Sequence, residues 1–127
     1  MELHPGLSSR VELIVTDADT AQAVGSGDVP VLGTPRLIAL AEAATVAATT
    51  ACLNQGATTV GTHIEFDHQA ATVVGRKVTV LATLAKIDGR RLFFDIVVRE
   101  GDEQVAEGRV ERVIVDRQRF VARAFDR

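Results

Sequence analysis

The sequence has no tryptophan and no tyrosine, one cysteine, one methionine, three prolines and five phenylalanines among its 127 residues. Each scarcity excludes something. A lone cysteine, Cys52, rules out an internal disulfide and fits a reducing compartment, where it serves as a small apolar side chain. With so few aromatic rings, any apolar pocket is expected to be aliphatic. A surplus of positive charge is also missing: 14 Lys and Arg against 17 Asp and Glu give a net charge of −3. Neither nucleic acid nor an anionic membrane is therefore expected as a partner, and the arginines show no gathering on one helical face. No low-complexity run occurs, and a hydrophobic content of 46% argues against disorder. No signal peptide precedes the first structured segment and no run makes an attractive membrane span, so a cytoplasmic protein is expected. A chain of this length buries about two-thirds of its unfolded surface, and residues 1–127 are expected to form one domain.

Charge is scarce in the middle of the chain as well. From Leu37 to Ile64 the only Asp, Glu, Lys or Arg is Glu42. It lies in the run TPRLIALAEAATVAATTACL, residues 34–53. Thr34 can cap a helix there with its hydroxyl, and Pro35 at the first helical position gives up only an N–H that would have been unpaired. The rest is Ala, Leu, Ile, Val and Thr without a polar half, which predicts a buried helix of about 28 Å. A carboxylate on such a helix must be paired, hydrogen-bonded or functional.

The flanking segments read as strands. Residues 11–16 (VELIVT) are β-rich, and residues 17–30, with Gly25, Gly27 and Pro30, read as a loop long enough to cover a cleft. Gly56 is expected to end the helix in the left-handed conformation. Residues 58–68 then alternate, with Thr62, Ile64, Phe66 and His68 on the face toward the helix and Gly61, His63, Glu65 and Asp67 on the other. Residues 77–87 and 91–99 flank an Asp88-Gly89 hairpin, and Gly101-Asp102 leads into residues 104–116, with Gly108 as a bulge. The tail, residues 117–127, is a basic run of the kind that is usually solvated, with Phe120 and Phe125 as docking residues. His63, Glu65, Asp67 and His68 do not make a metal site, because three share one strand face and His68 points to the other.

A strand, a long buried helix and four strands joined mainly by hairpins make an α+β fold in which a five-stranded antiparallel sheet curls around the helix. That is the outline of the hot-dog fold, with the uncovered face or edge left for a second subunit. Three blocks, VLGTPRLIALAE, VGTHIEFDHQAATVVGRKVTV and EGRVERVIV, resemble in order those of the fluoroacetyl-CoA thioesterase family of hot-dog proteins, across nearly the whole chain. The resemblance implies a homodimer whose sheets join, with acyl-CoA bound near the interface, no further cofactor and no metal. By position it implies catalytic roles for Thr34, Glu42 and His68, and substrate-side roles for Gly61 and Arg112. Where the fluoroacetyl-specific enzyme has a gating Phe, this chain reads Gly27-Asp28-Val29-Pro30, which argues against fluoroacetyl as the acyl group.

The same residues suit thioester chemistry on their own. Hydrolysis of a thioester needs a positioned water or nucleophile, a base, and donors for the developing oxyanion. Thr34 at a helix start, the isolated Glu42 and a strand-end His68 can supply these. A small or medium acyl-CoA is the expected substrate, with Thr34 as nucleophile, Glu42 as nucleophile through an anhydride, or Glu42 activating water all open. The same residues would also suit a non-catalytic dimer that binds acyl-CoA or another small molecule. Whether Glu42 and His68 meet within one subunit or across two is left open at this level.

Overall fold

The computed structural model describes residues 2–127. In chain order it forms β1 (Ser8–Ile14), a short helix α1 (Ala21–Val24), the long helix α2 (Thr34–Thr49) extended by a 3-10 turn over Thr50–Cys52, then β2 (Ala57–His68), β3 (Lys77–Asp88), β4 (Arg91–Glu100), β5 (Glu103–Asp116) and a terminal helix α3 (Arg117–Phe125). The strands make one antiparallel sheet in the order β1-β3-β4-β5-β2. This is the expected α+β arrangement, an open five-stranded sheet with a long helix across one face.

Period-two alternation builds the inner face. Val78, Val80, Ala82 and Leu84 of β3 and Leu92, Phe94, Ile96 and Val98 of β4 are all buried, while their sequence neighbours face out. Against them α2 sets Leu37, Leu40, Ala41, Ala44 and Ala48, a stripe at helical spacing. Three alanines in that stripe keep the helix close to the sheet. Two-residue turns close the hairpins: Gly101 (φ 59°) and Asp102 link β4 to β5 as expected, while the β3–β4 turn is Gly89-Arg90, because Asp88 still pairs with Arg91.

Several expectations need correction. Helix α2 is not buried on all sides: Ala39, Ala43, Val46, Ala47 and Thr50 are exposed on its outer face in the single chain. An apolar sequence cannot distinguish a face covered by its own sheet from one that is left bare. Gly33, not Thr34, is the N-cap, and Gly56 (φ 86°) sits in the turn that enters β2, beyond the 3-10 extension of the helix. Gly108 is not a bulge. It pairs in register with Phe66 and Ile96, and its missing Cβ leaves room for the main chain of Glu65 and the ring of Phe66. The loop before α2 contains α1, and the tail is a helix whose start is capped by Asp116 Oδ1, which accepts a 3.0 Å hydrogen bond from the Arg119 amide. No helix among the described residues is long and apolar enough to cross a membrane.

Candidate functional site

The expected site residues fall into two groups along α2. At its mouth Thr34 is the first helical residue, and its hydroxyl is not spent on capping. Thr34 Oγ1 lies 2.7 Å from His68 Nδ1 at the far end of β2. The other ring nitrogen, His68 Nε2, is buried without a partner among the described residues. Burial pushes the His68 pKa below its ordinary value of 6.5, opposed more weakly by the main chain at Ala70, so the imidazole is neutral at neutral pH. A neutral ring can donate at one nitrogen and accept at the other, which suits relaying a proton through the Thr34 hydroxyl.

The second group lies two turns further on. Arg112 of β5 donates from Nη1 to Glu42 Oε2 at 3.1 Å, from Nε to Thr59 Oγ1 at 2.9 Å and from Nη2 to the Thr59 carbonyl at 3.0 Å. Burial lowers the Arg112 pKa and the adjacent Glu42 carboxylate raises it, and a guanidinium so paired stays charged. Glu42 is therefore neither isolated nor fully buried: its side chain is 35% exposed and its charge is answered by Arg112. Within one chain Glu42 and His68 do not meet: His68 pairs with Thr34 and Glu42 with Arg112. Glu42 lies eight residues after Thr34, about 12 Å along the helix axis.

A bulge in β2 brings Gly61 into this group. Gly61 pairs with Arg112 and His63 with Glu111, so Thr62 is an extra residue that flips the alternation. Thr59 and Gly61 face the helix before the bulge, and Ile64, Phe66 and His68 face it after. Strict alternation had set Gly61 on the outer face. A Cβ on Gly61 would lie 2.5 Å from Glu42 Oε2 and 3.4 Å from Arg112 Nη1, so no side chain fits between strand and carboxylate. His63 and Glu65 remain on the outer face, and among the described residues no three His, Cys, Asp or Glu side chains are grouped as metal ligands would be.

One neighbour of the helix mouth escaped the sequence reading. Asp19 is buried, and its carboxylate accepts from the Thr16 amide at 2.8 Å, the Thr16 hydroxyl at 2.9 Å and Arg36 Nε at 2.8 Å. Burial alone would raise its pKa, but the hydrogen bonds from Arg36 and Thr16 outweigh that and hold it below 3.8. The Asp19 carbonyl also accepts from the Gly33 amide at 2.9 Å, and a Cβ on Gly33 would strike Val24 and the Ala21 main chain. The segment before α2 is thus strapped to the helix mouth. The Thr-x-x-Asp spacing at Thr16 and Asp19 was the available signal. Beside Thr34 and His68 the strap borders an open cleft of about 330 Å³, lined by Val29, Val31, Leu32, Ala70 and Ala71 together with Ser26 and Gln69.

Comparison with known proteins places this arrangement. The fluoroacetyl-CoA-specific thioesterase family model matches residues 15–118. A fluoroacetyl-CoA thioesterase of Streptantibioticus cattleyicolor is 34% identical over 93 residues, covering 73% of this chain and 67% of that protein. Among solved structures, a fluoroacetyl-CoA thioesterase superposes with a TM-score of 0.93 at 27% identity, covering all of this chain and 98% of that one. A variant of that enzyme in complex with fluoroacetate and CoA superposes with a TM-score of 0.86 at 28% identity, covering 93% of this chain and 99% of that one. A hot-dog-like protein from Thermanaerovibrio acidaminovorans shares the fold, with a TM-score of 0.88 at 23% identity over 96% of this chain and 90% of that one.

Proposed function

The chain belongs to the fluoroacetyl-CoA-specific thioesterase family of hot-dog thioester hydrolases, and from that premise we propose that it hydrolyses small or medium acyl-CoA thioesters in a site completed by a second copy of itself. The observation that carries this reading is the split in the site. Glu42, Gly61 and Arg112 form one half and Thr34 and His68 the other, and one chain does not bring them together.

Pairing β2 with its own copy would join the halves. β2 is an edge of the sheet, with one side of its backbone unpaired. An antiparallel pairing with Glu65 opposite its own copy, and Thr62 passed over as the bulge, sets Gly61 of each copy opposite His68 of the other. The same dimer covers the apolar outer stripe of α2 through Ala39, Ala43 and Val46.

In this reading Glu42 is the base. Arg112 occupies Oε2, leaving Oε1 to take a proton from a water that attacks the thioester carbonyl carbon. The carbonyl oxygen becomes an oxyanion, held by the main-chain N–H of Gly61 and by the Thr34 hydroxyl, which is free to donate when His68 Nδ1 donates to it. The C–S bond then breaks, and the proton on Glu42 passes to the departing thiolate, giving the carboxylic acid and CoA. No cofactor or metal enters these steps. The strap carries Val29 and no Phe beside the cleft at the helix mouth, which supports a plain acyl chain over fluoroacetyl.

The test is release of free thiol from a panel of acyl-CoAs. Turnover that collapses in Glu42→Gln supports the reading. Absence of thiol release from every acyl-CoA, or release indifferent to Glu42→Gln, defeats it and leaves an acyl-CoA binder.

A further inference from the structure

The basic tail does more than dissolve in water. The last eleven residues carry four arginines and one aspartate in a chain whose net charge is −3. Their i, i+4 spacing on α3 puts Arg119 and Arg123 on one face, where they meet Arg90 of the β3–β4 turn. With Val115, Asp116 and Phe120 these three arginines line an open groove of about 290 Å³. None of the three forms an ion pair among the described residues. The one carboxylate in the wall, Asp116, is engaged as the helix cap. Phe120 stays 45% exposed among them. Cations converging from two separate elements around an open aromatic face match a ligand that combines phosphates with a planar base. Arginine grips phosphate oxygens in bidentate fashion, and bases stack on phenyl rings and guanidinium planes.

We infer that this groove holds the phosphorylated adenosine end of coenzyme A, with Arg90, Arg119 and Arg123 on its phosphates and Phe120 against the adenine. The inference rests on the thioesterase reading above for its choice of ligand. Reach supports it. Asp116 is four residues beyond Arg112 on β5, about 13 Å along the strand. From the CoA sulfur to its first phosphorus there are about thirteen bonds, which extend to roughly 15 Å at the spacing of a stretched chain. A thioester carbonyl beside Glu42 therefore delivers the pyrophosphate to the start of α3 without slack or strain.

The test is calorimetric titration of the full-length protein with free CoA, 3′-dephospho-CoA and pantetheine. The expected result is CoA bound at least about tenfold tighter than pantetheine, with dephospho-CoA between them and the difference shrinking as salt is added. The double variant Arg119→Ala, Arg123→Ala is expected to lose about tenfold or more in CoA affinity and nothing in pantetheine affinity. Arg90→Gln, which lies off the helix, is expected to weaken CoA in the same direction should the double variant disturb α3. Equal binding of CoA and pantetheine overturns the inference. So does unchanged CoA affinity in both variants, or a requirement for these arginines on phosphatidylserine vesicles but not on CoA. The two readings fail separately. Arginine-dependent CoA binding without hydrolysis of any acyl-CoA removes the proposed activity and keeps the groove. Hydrolysis with KM for acyl-CoA unmoved in both variants keeps the activity and removes the groove.

Discussion

The two polar groups on α2 are held in opposite ways. At the mouth, Thr34 and His68 share a single 2.7 Å contact, and His68 Nε2 has no partner. Two turns on, Glu42 is gripped by an arginine that is only 7% exposed and makes three hydrogen bonds. The mid-helix group is preorganised and electrostatically balanced within one chain. The mouth group has an unsatisfied buried nitrogen, a condition that costs stability unless something else arrives to answer it. The difference teaches that a fixed charge and a neutral ring with a free nitrogen are built separately, on the middle of the helix and on its strapped end.

The comparison breaks most visibly at Glu42. Glu42→Gln keeps the shape and a hydrogen bond from Arg112 but removes the charge, and acyl-CoA turnover is expected to fall about 10²- to 10⁴-fold with the fold intact by circular dichroism. Wild-type rates would strip the mid-helix group of its role. Next in size is Arg112→Leu, which strands the Thr59 carbonyl and hydroxyl and leaves Glu42 unpaired. Because Glu42 is a third exposed and keeps some hydration, the expected cost in urea unfolding is about 2–3 kcal/mol, below that of a fully buried pair. A smaller loss would mean that the grip is loose.

The strap offers a sharper contrast. Asp19→Asn gives up the charge in three hydrogen bonds, and about 1–2 kcal/mol is expected in the same assay at neutral pH. The folded-state pKa of Asp19 is depressed, so its contribution is present above pH 3.8 and is lost as pH falls through the lower folded value. The variant should lack that part of the acid transition. An unchanged acid limb would contradict the assignment. The smallest effect belongs to His68. Its folded pKa lies below 6.5, so folding favours the neutral ring, and its contribution to stability is present above pH 6.5 and declines as pH drops toward the folded value. Proton NMR resolves this directly, because the chain has only three histidines. A His68 midpoint at or above 6.5 would put the ring in a wetter place than the structure gives it.

Much of this architecture was legible in the sequence because local chemistry dictates it. Gly101-Asp102 can only be a turn between two β-rich runs, and Pro35 marks a helix start. Where the reading failed, the cause was nonlocal or a matter of phase. The bulge at Thr62 has no residue signature, so strict alternation sent Gly61 to the wrong face. The Arg112 partner of Glu42 is 70 residues away in sequence, and nothing near either residue announces the other. The helix α3 was missed because four arginines read as a solvated run, while its cap, Asp116, looked like the end of a strand. The outer stripe of α2 read as core because alanine and valine do not record what covers them.

Complementation tests the shared site most directly. Chains carrying Glu42→Gln and chains carrying His68→Ala, each expected to be nearly inactive alone, are co-expressed and the mixture assayed for acyl-CoA hydrolysis. If each site draws Glu42 from one copy and His68 from the other, a mixed dimer keeps one intact site out of two. Random pairing should then restore about a quarter of wild-type activity per chain. If both residues act within the same chain, every site in the mixture carries a lesion and activity stays at the level of the separate variants, which would contradict the composite site.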